Sequence, residues 1–430
     1  MKVNPFSGIK PLDGSLFIGL NKVTKKLFSM RKFILLFTIL LSVMQAGALT
    51  LSDSTRVSLL TCGPGEELYA KFGHSAIRVV DPANHIDVSF NYGYFNFNID
   101  GFYYKFIKGE TDYQLGVAET SEFFLEYQMR QINMWEQVLN LQQSEKQNLF
   151  DALMENYRPE NRFYRYNFVF DNCATRPRDM INKSIQGKVI FNKTLENTKE
   201  TFQQLIDYYT AESPSILFGI HLILGAPKDK EATFQQTMFL PERLMQAYST
   251  AIIQRDSASV PLVLSSSQPV TVAGKEHKTA FNYIPFLFGV LLILTLLVCS
   301  ADKRKQRLSF WFDGVLFGLA GFAGCIVFYL TSFSIHPLVS FNWNVIWLNP
   351  LLLIFSILVI FKKLRKYAVY LQFLFLTCEV FMMVTFLYLP QSFVLSELML
   401  IVILALRSIT YVRLRSEYLL PANRIKMAKK

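Results

Sequence analysis

Five long apolar stretches in the second half of the chain limit what it can fold into. They occupy residues 283–299, 308–332, 343–361, 367–389 and 393–412. A helix needs about 20 apolar residues, with a range of roughly 17–25, to cross the hydrocarbon core of a bilayer. The sequence therefore predicts five membrane helices, and its 51% hydrophobic content excludes a purely water-soluble protein.

Basic residues predict how these helices are oriented. Lys and Arg are concentrated after the first, third and fifth stretches, and are absent from the loops after the second and fourth. Cytoplasmic loops carry the excess of Lys and Arg, so the C-terminus is predicted to be cytoplasmic and the preceding soluble domain to lie outside. The net charge of +11 is thus a topology signal, and no nucleic-acid partner is expected.

The N-terminus has the layout of a secretory signal peptide. A basic start at Met30 is followed by an apolar run and by Ala46-Gly47-Ala48, which predicts translation from Met30 and cleavage after Ala48. An uncleaved anchor helix is the alternative. The expected domains are a leader over residues 1–48, a periplasmic α+β domain over 49–278 and a five-helix membrane domain over 279–430.

A cysteine motif stands out in the soluble part. An alternating apolar run over residues 163–170 ends at Asp171-Asn172-Cys173 and gives way to a helix-like segment. This pattern predicts a strand that delivers Cys173 to a helix N-terminus, where the macrodipole would lower the pKa of the thiol. Pro177 implies that the helix is kinked or begins later, and a later start weakens the dipole effect. A buried structural cysteine is the alternative.

His74 is the expected base for this thiol, since it opens a predicted strand directly after a glycine. The hairpin of residues 75–80 and 87–91 places Asn91 beside it, so Asn91 is preferred for orienting the imidazole. Asp87 is the alternative candidate for orienting the imidazole, because it shares a face of the strand with Asn91. An Asn that merely caps a strand end is equally compatible with the pattern. Asn172, Tyr92 and Asp87 are the candidates for substrate contacts.

Three motifs together resemble a known family. Gly73-His74-Ser75, Asn91-Tyr92-Gly93 and the segment 164–176 are similar to the Lnb N-terminal periplasmic domain family, and the resemblance covers roughly residues 51–264. The order His before Cys also resembles circularly permuted papain-like enzymes, a group that includes NlpC-type and lecithin-retinol acyltransferase relatives. These resemblances imply a permuted papain-like fold and thiol chemistry.

The leading hypothesis is a membrane-tethered cysteine hydrolase or acyltransferase in the inner membrane. Its substrate would be an acyl or amide bond in a membrane lipid or cell-envelope peptide. The alternative is a papain-like module without catalysis that binds lipid, glycan or protein. We find neither a metal-ligand motif nor a phosphate-binding loop, so no metal, cofactor or nucleotide is expected. A disulfide between Cys62 and Cys173 would remove the nucleophile, and the sequence leaves it open.

Overall fold

The computed structural model describes residues 49–95, 100–192, 199–256, 258–272 and 280–415. The predicted signal peptide lies outside these ranges. So do four of the basic residues that follow the fifth apolar stretch, Arg424, Lys426, Lys429 and Lys430. From Leu51 onward the chain forms one compact unit.

Seven strands form an antiparallel sheet in the first half of the unit. Its strands, in chain order, are β1 (Arg56–Cys62), β2 (His74–Asp81), β3 (Ile86–Tyr94), β4 (Asp112–Glu119), β5 (Met134–Leu139), β6 (Phe163–Arg165) and β10 (Val263–Val270). Their spatial order is β10-β5-β1-β2-β3-β4-β6. A second, three-stranded sheet consists of β7 (Lys188–Ile190), β8 (Ile252–Gln254) and β9 (Ser259–Pro261).

Eight helices accompany these strands in the described part of the soluble domain. They are α1 (Phe102–Lys108), α2 (Thr120–Met129), α3 (Gln143–Tyr157), α4 (Thr175–Ser184), α5 (Phe202–Thr210), α6 (Pro214–Ile223), α7 (Phe234–Thr237) and α8 (Pro241–Ser249). Alternation along the strands gives the large sheet two apolar faces. Leu59 and Ile77 pack with α3, α4 and α8, whereas Leu60 and Ala76 pack with α2. This confirms an α+β domain.

The β2–β3 hairpin is the local unit that carries two of the candidate residues. Ala76 pairs with Asn91, and the strands close at Asp81 and Ile86. The turn between them is a 3₁₀ segment, Pro82–Asn84, followed by His85 in the left-handed region. The predicted hairpin is therefore present, with each strand longer than the pattern indicated.

Two local expectations were wrong. The apolar alternation over residues 163–170 forms a strand only at Phe163–Arg165, because the chain turns back at Asn167. The serine-rich residues 265–267 have a composition that predicts a turn between two strands, but they lie inside β10. Since β10 is an edge strand paired only with β5, its serines are exposed and the strand needs no apolar alternation.

Over residues 280–415, the structure has five helices that are long and apolar enough to cross a membrane, as predicted. They are α9 (Ile284–Lys305), α10 (Phe310–Phe333), the span Trp343–Ile360 that includes α11 (Leu351–Ile360), α12 (Arg365–Thr385) and α13 (Leu395–Arg415). The apolar helix α6 of the soluble domain packs beside them. The rings of Phe218 on α6 and Phe288 on α9 lie 5.2 Å apart.

An ion-paired cluster joins three of these helices. Arg407 on α13 donates to Asp302 of α9 at 2.9 Å and to Asp313 of α10 at 2.7 Å, and all three side chains are buried. A buried arginine between two carboxylates balances charges that would otherwise be costly inside a membrane. The two carboxylates that pair with Arg407 lie about a hundred positions earlier in the chain, so the sequence alone does not show that these residues pair.

Close backbone contact between α10 and α11 depends on Gly321. A Cβ at this position would lie 2.2 Å from the backbone nitrogen of Leu353. We expect Gly321→Ala to force the helices apart and to reduce stability by about 1–3 kcal/mol. The matched control is Gly219→Ala in α6, where a Cβ meets nothing within 4 Å. Thermal unfolding of the two purified variants compares them, and equal midpoints would contradict the expectation.

Candidate active site

The cysteine loop is built by asparagine side chains. Asn167 Oδ1 accepts the backbone N–H groups of Val169 and Phe170, and the backbones of Asn167 and Asp171 pair at 3.0 Å. Asp171 then accepts two hydrogen bonds from the guanidinium of Arg176, at 2.6 and 2.8 Å. These bonds close the loop and fix where Cys173 emerges.

Asn172 caps the helix that follows. Its Oδ1 accepts from the backbone N–H groups of Ala174 and Thr175 at 2.9 Å, while its Nδ2 donates to two backbone carbonyls at 2.8 Å. The side chain is buried with its donors and acceptor engaged. It holds the cysteine loop, and it has little capacity left for a substrate.

Helix α4 begins at Thr175, two residues beyond Cys173, with Pro177 in its first turn. Of the two options that Pro177 left open, the structure has the later start. Cys173 is therefore outside the helix, and the macrodipole acts on it less than it would on a first-turn residue.

His74 and Asn91 meet across the β2–β3 hairpin. His74 lies two residues before Ala76, which pairs with Asn91, and its Nε2 hydrogen-bonds Asn91 Oδ1. An amide oxygen only accepts, so Nε2 carries the proton and Nδ1 keeps a lone pair. This tautomer leaves Nδ1 able to take a proton from a thiol.

Gly93 is the point at which the cysteine loop meets the hairpin. Its φ of +105° lies in the left-handed region, and a Cβ built on it would lie 3.7 Å from both Cys173 Cβ and His74 Cε1. Backbone hydrogen bonds from Ser75 and from Cys173 itself also reach the sulfur. The fold thus brings Cys173, His74 and Asn91 together.

The other candidates lie elsewhere. Asp87 forms a two-bond ion pair with Arg78, at 2.8 and 2.7 Å, four residues along β3 from Asn91. Tyr92 faces the opposite side of the sheet from Asn91, is fully buried, and donates to Asn156 at 2.6 Å. Neither is placed beside the thiol, so their substrate contacts remain predictions.

Residues 47–208 match the family model of the Lnb N-terminal periplasmic domain, and residues 276–418 match that of the Lnb transmembrane domain. The chain belongs to the Lnb family. It is a multi-pass inner-membrane protein whose N-terminal domain is periplasmic, and this confirms the expected localisation. No curated protein and no solved structure matched the chain. The papain-like resemblance therefore stays a prediction.

Burial changes the titration of both reactive groups in this Lnb domain. It raises the pKa of Cys173 to about 11, although the two backbone hydrogen bonds lower it. It lowers the pKa of His74 to about 4, against the opposing effect of the Asn91 hydrogen bond. At neutral pH the pair is a thiol beside a neutral imidazole. The expected low thiol pKa was wrong because desolvation outweighs the distant helix dipole.

Three tyrosines that were not among the predicted site residues interact electrostatically with Cys173. Tyr113, Tyr164 and Tyr166 all have a raised pKa, first through burial and then through negative charge on Cys173. The rings of Tyr113 and Tyr166 stack at 4.2 Å. The alternation of Tyr164 and Tyr166 in the motif was the available signal that both side chains lie near Cys173.

Cys62 and Cys173 are both free thiols in this structure. Cys62 pairs with His74 in the β1–β2 register, and burial raises its pKa. Negative charge on Cys173 adds to this effect, so the two sulfurs interact electrostatically without being bonded. Within the described ranges, no group of three or more His, Cys, Asp or Glu side chains is arranged to hold a metal ion.

Alkylation of Cys173 tests the raised pKa directly. Only the thiolate reacts with iodoacetamide, so we expect the rate to keep rising with pH towards about 11. A free thiol in the same assay levels off above its pKa of about 8.5. The measurement is a pH series on the full-length protein with peptide mass spectrometry, and Cys62→Ala removes the neighbouring thiol. A plateau at or below the free-thiol pKa of about 8.5 would contradict the prediction.

Proposed function

We propose that this Lnb protein is a membrane-tethered periplasmic cysteine hydrolase or acyltransferase. Its substrate is an acyl or amide bond in a membrane lipid or a cell-envelope peptide. The observation that carries the proposal is that Cys173 and His74 both lie beside Gly93, with Asn91 bonded to the imidazole. A nucleophile, a base and an orienting group in this arrangement are what acyl transfer through a covalent intermediate requires.

The first half-reaction forms a thioester. His74 Nδ1 takes the proton of Cys173 as Sγ attacks the substrate carbonyl carbon, and the carbonyl π electrons move onto oxygen. When the C=O bond re-forms, the bond to the leaving group breaks, and the departing nitrogen or oxygen receives the proton from His74. Because thiol and imidazole start neutral, proton transfer accompanies attack.

The second half-reaction releases the acyl group. Water, or the amine or hydroxyl of an acceptor, attacks the thioester carbonyl while His74 removes its proton. The Cys173 sulfur then leaves and recovers the proton from His74. Water gives hydrolysis, and an amine or hydroxyl acceptor gives acyl transfer.

A charge-stabilising site is needed for the oxygen during both steps. The backbone N–H groups of Cys173 and Ser75 are the candidates, because both already lie within hydrogen-bonding reach of Sγ. In the resting state both N–H groups donate hydrogen bonds to the sulfur. When a substrate binds, at least one of them would donate to the carbonyl oxygen instead.

The second candidate function is a binding module without catalysis. The raised thiol pKa and the 8% exposure of Cys173 favour it, since an inert buried cysteine has these properties. Such a module would use the aromatic surroundings of the thiol to hold lipid, glycan or protein.

Trapping the intermediate separates the two functions. The full-length protein is reconstituted in vesicles that contain phospholipid with alkyne-tagged acyl chains, or is mixed with an alkyne-tagged N-acyl peptide. We expect a hydroxylamine-sensitive tag on the peptide that contains Cys173, and its accumulation should fall in His74→Ala. Binding of both probes without any thioester at Cys173 would contradict catalysis and support the binding module.

A further inference from the structure

Helix α1 presents an unusually apolar surface on the outside of the periplasmic domain. Tyr103 is 74% exposed and Tyr104 58%, and both Phe106 and Ile107 are exposed as well. Glycines in the left-handed region, Gly101 and Gly109, bound the helix on both sides. An exposed aromatic cluster on a water-facing surface is costly, so its environment needs an explanation.

The position of α1 is fixed by the periplasmic end of the membrane helix α10. Ile335 N donates to the carbonyl of Lys108 at 2.9 Å, Ser334 Oγ to that of Ile107 at 2.8 Å, and His336 Nε2 to that of Phe106 at 2.9 Å. These carbonyls belong to the last turn of α1, where a helix has no further N–H groups of its own to bond them, although that of Phe106 also accepts from Gly109 N. The loop after α10 therefore caps α1 and holds it at the membrane level.

A contact between two tyrosine rings shows how deep α1 lies relative to the membrane helix α10. The ring of Tyr104 lies 6.4 Å from that of Tyr329, which is one turn, or about 6 Å, inside the end of α10 at Phe333. Interfacial helices bury their apolar face about 5–10 Å into the boundary between headgroups and acyl chains. Exposed Phe333, at the end of α10, and exposed Ile335, in the loop that follows, continue the same apolar surface.

We propose that α1 is an interfacial helix whose exposed aromatic face inserts into the periplasmic leaflet of the inner membrane. Tyrosine is enriched at this level of a bilayer because its ring is apolar and its hydroxyl is polar. Exposed Lys105, in the last turn, suits the neighbouring phosphate groups.

The inner face of α1 connects this surface to the candidate active site. Buried Phe102 stacks with Phe95 at 5.8 Å, and Phe95 lies 5.0 Å from Tyr113. Burial raises the pKa of Tyr113, and negative charge on Cys173 raises it further. Phe102, Phe95 and Tyr113 therefore form a series of aromatic contacts that leads from the inserted helix towards the thiol site, whether or not the site is catalytic.

Lipid-borne quenchers test the insertion. A bimane is attached to Tyr103→Cys in the full-length chain, in a background where the half-buried Cys325 and Cys378 are alanine, and the protein is placed in phosphatidylcholine nanodiscs. The control is Leu264→Cys, which is 63% exposed on β10 at the opposite edge of the sheet. The background without an added cysteine reports any labelling of buried thiols.

We expect a nitroxide near the top of the acyl chain to quench the Tyr103 reporter several-fold more than the Leu264 reporter. Aqueous iodide should show the reverse order. Phe322→Cys, on the exposed side of α10 inside the predicted span, gives the signal of a fully lipid-facing site. Equal lipid quenching at positions 103 and 264, with iodide reaching both, would overturn the proposal.

Discussion

Replacing Cys173 with alanine should abolish acyl transfer, lowering the rate by roughly 10³-fold or more, as loss of a nucleophile does in other covalent enzymes. The reason is that His74 would have no thiol to deprotonate and no thioester could form. The measurement is release or transfer of a labelled acyl chain from lipid in vesicles that contain the full-length protein. Retention of full activity would refute the proposed function.

The matched control is Cys62→Ala. Cys62 is also buried and also near His74 in the sheet, but it lies outside the proposed reaction. We expect this variant to keep most of its activity. If the two alanine variants lose activity equally, the loss reflects packing around the sheet end, and the assignment of Cys173 as nucleophile fails.

Replacing Arg407 with leucine should cause the largest loss of stability. The change leaves Asp302 and Asp313 buried without the guanidinium that now bonds to both, and breaking a buried pair in this way costs about 3–5 kcal/mol. The measurement is the unfolding midpoint of the purified protein in detergent, with the yield of folded protein as a second readout.

Arg413→Leu is the control for this change. Arg413 lies on the same helix, two turns closer to its end, and is exposed. Exposed charges contribute little to stability, so we expect at most a small shift in the midpoint. Similar losses of stability in both variants would mean that the loss does not depend on the buried ion pairs of Arg407.

The features predicted correctly from the sequence depend on local patterns. A run of apolar residues long enough to cross a bilayer is visible without any knowledge of neighbours, so the five membrane helices were found. The β2–β3 hairpin was also found, because its alternation and turn lie within some 20 residues. Strand alternation within that hairpin placed Asn91 near His74.

The features that were missed depend on distant parts of the chain. The thiol of Cys173 was expected to be acidic, but it is buried against Ser75 and Gly93 of the distant β2–β3 hairpin, and burial raises its pKa. The two carboxylate partners of Arg407 come from helices about a hundred residues earlier. The strand character of β10 is imposed by pairing with β5 and contradicts its serine-rich sequence.

Substitutions in the hairpin that carries His74 and Asn91 have different effects from substitutions in the loop that carries Cys173. The proposed base and its orienting amide are only 17 positions apart on neighbouring strands, whereas the proposed nucleophile lies on a separate loop held by Asn167, Asn172 and the Asp171–Arg176 pair. Substitutions in that loop can displace the sulfur while the imidazole keeps its tautomer and orientation. Substitutions in the hairpin at positions other than Ser75 and Gly93, which reach Cys173, disturb the proposed proton acceptor and leave the sulfur in place. The two halves of the site can therefore vary separately, and Gly93 is where they must fit.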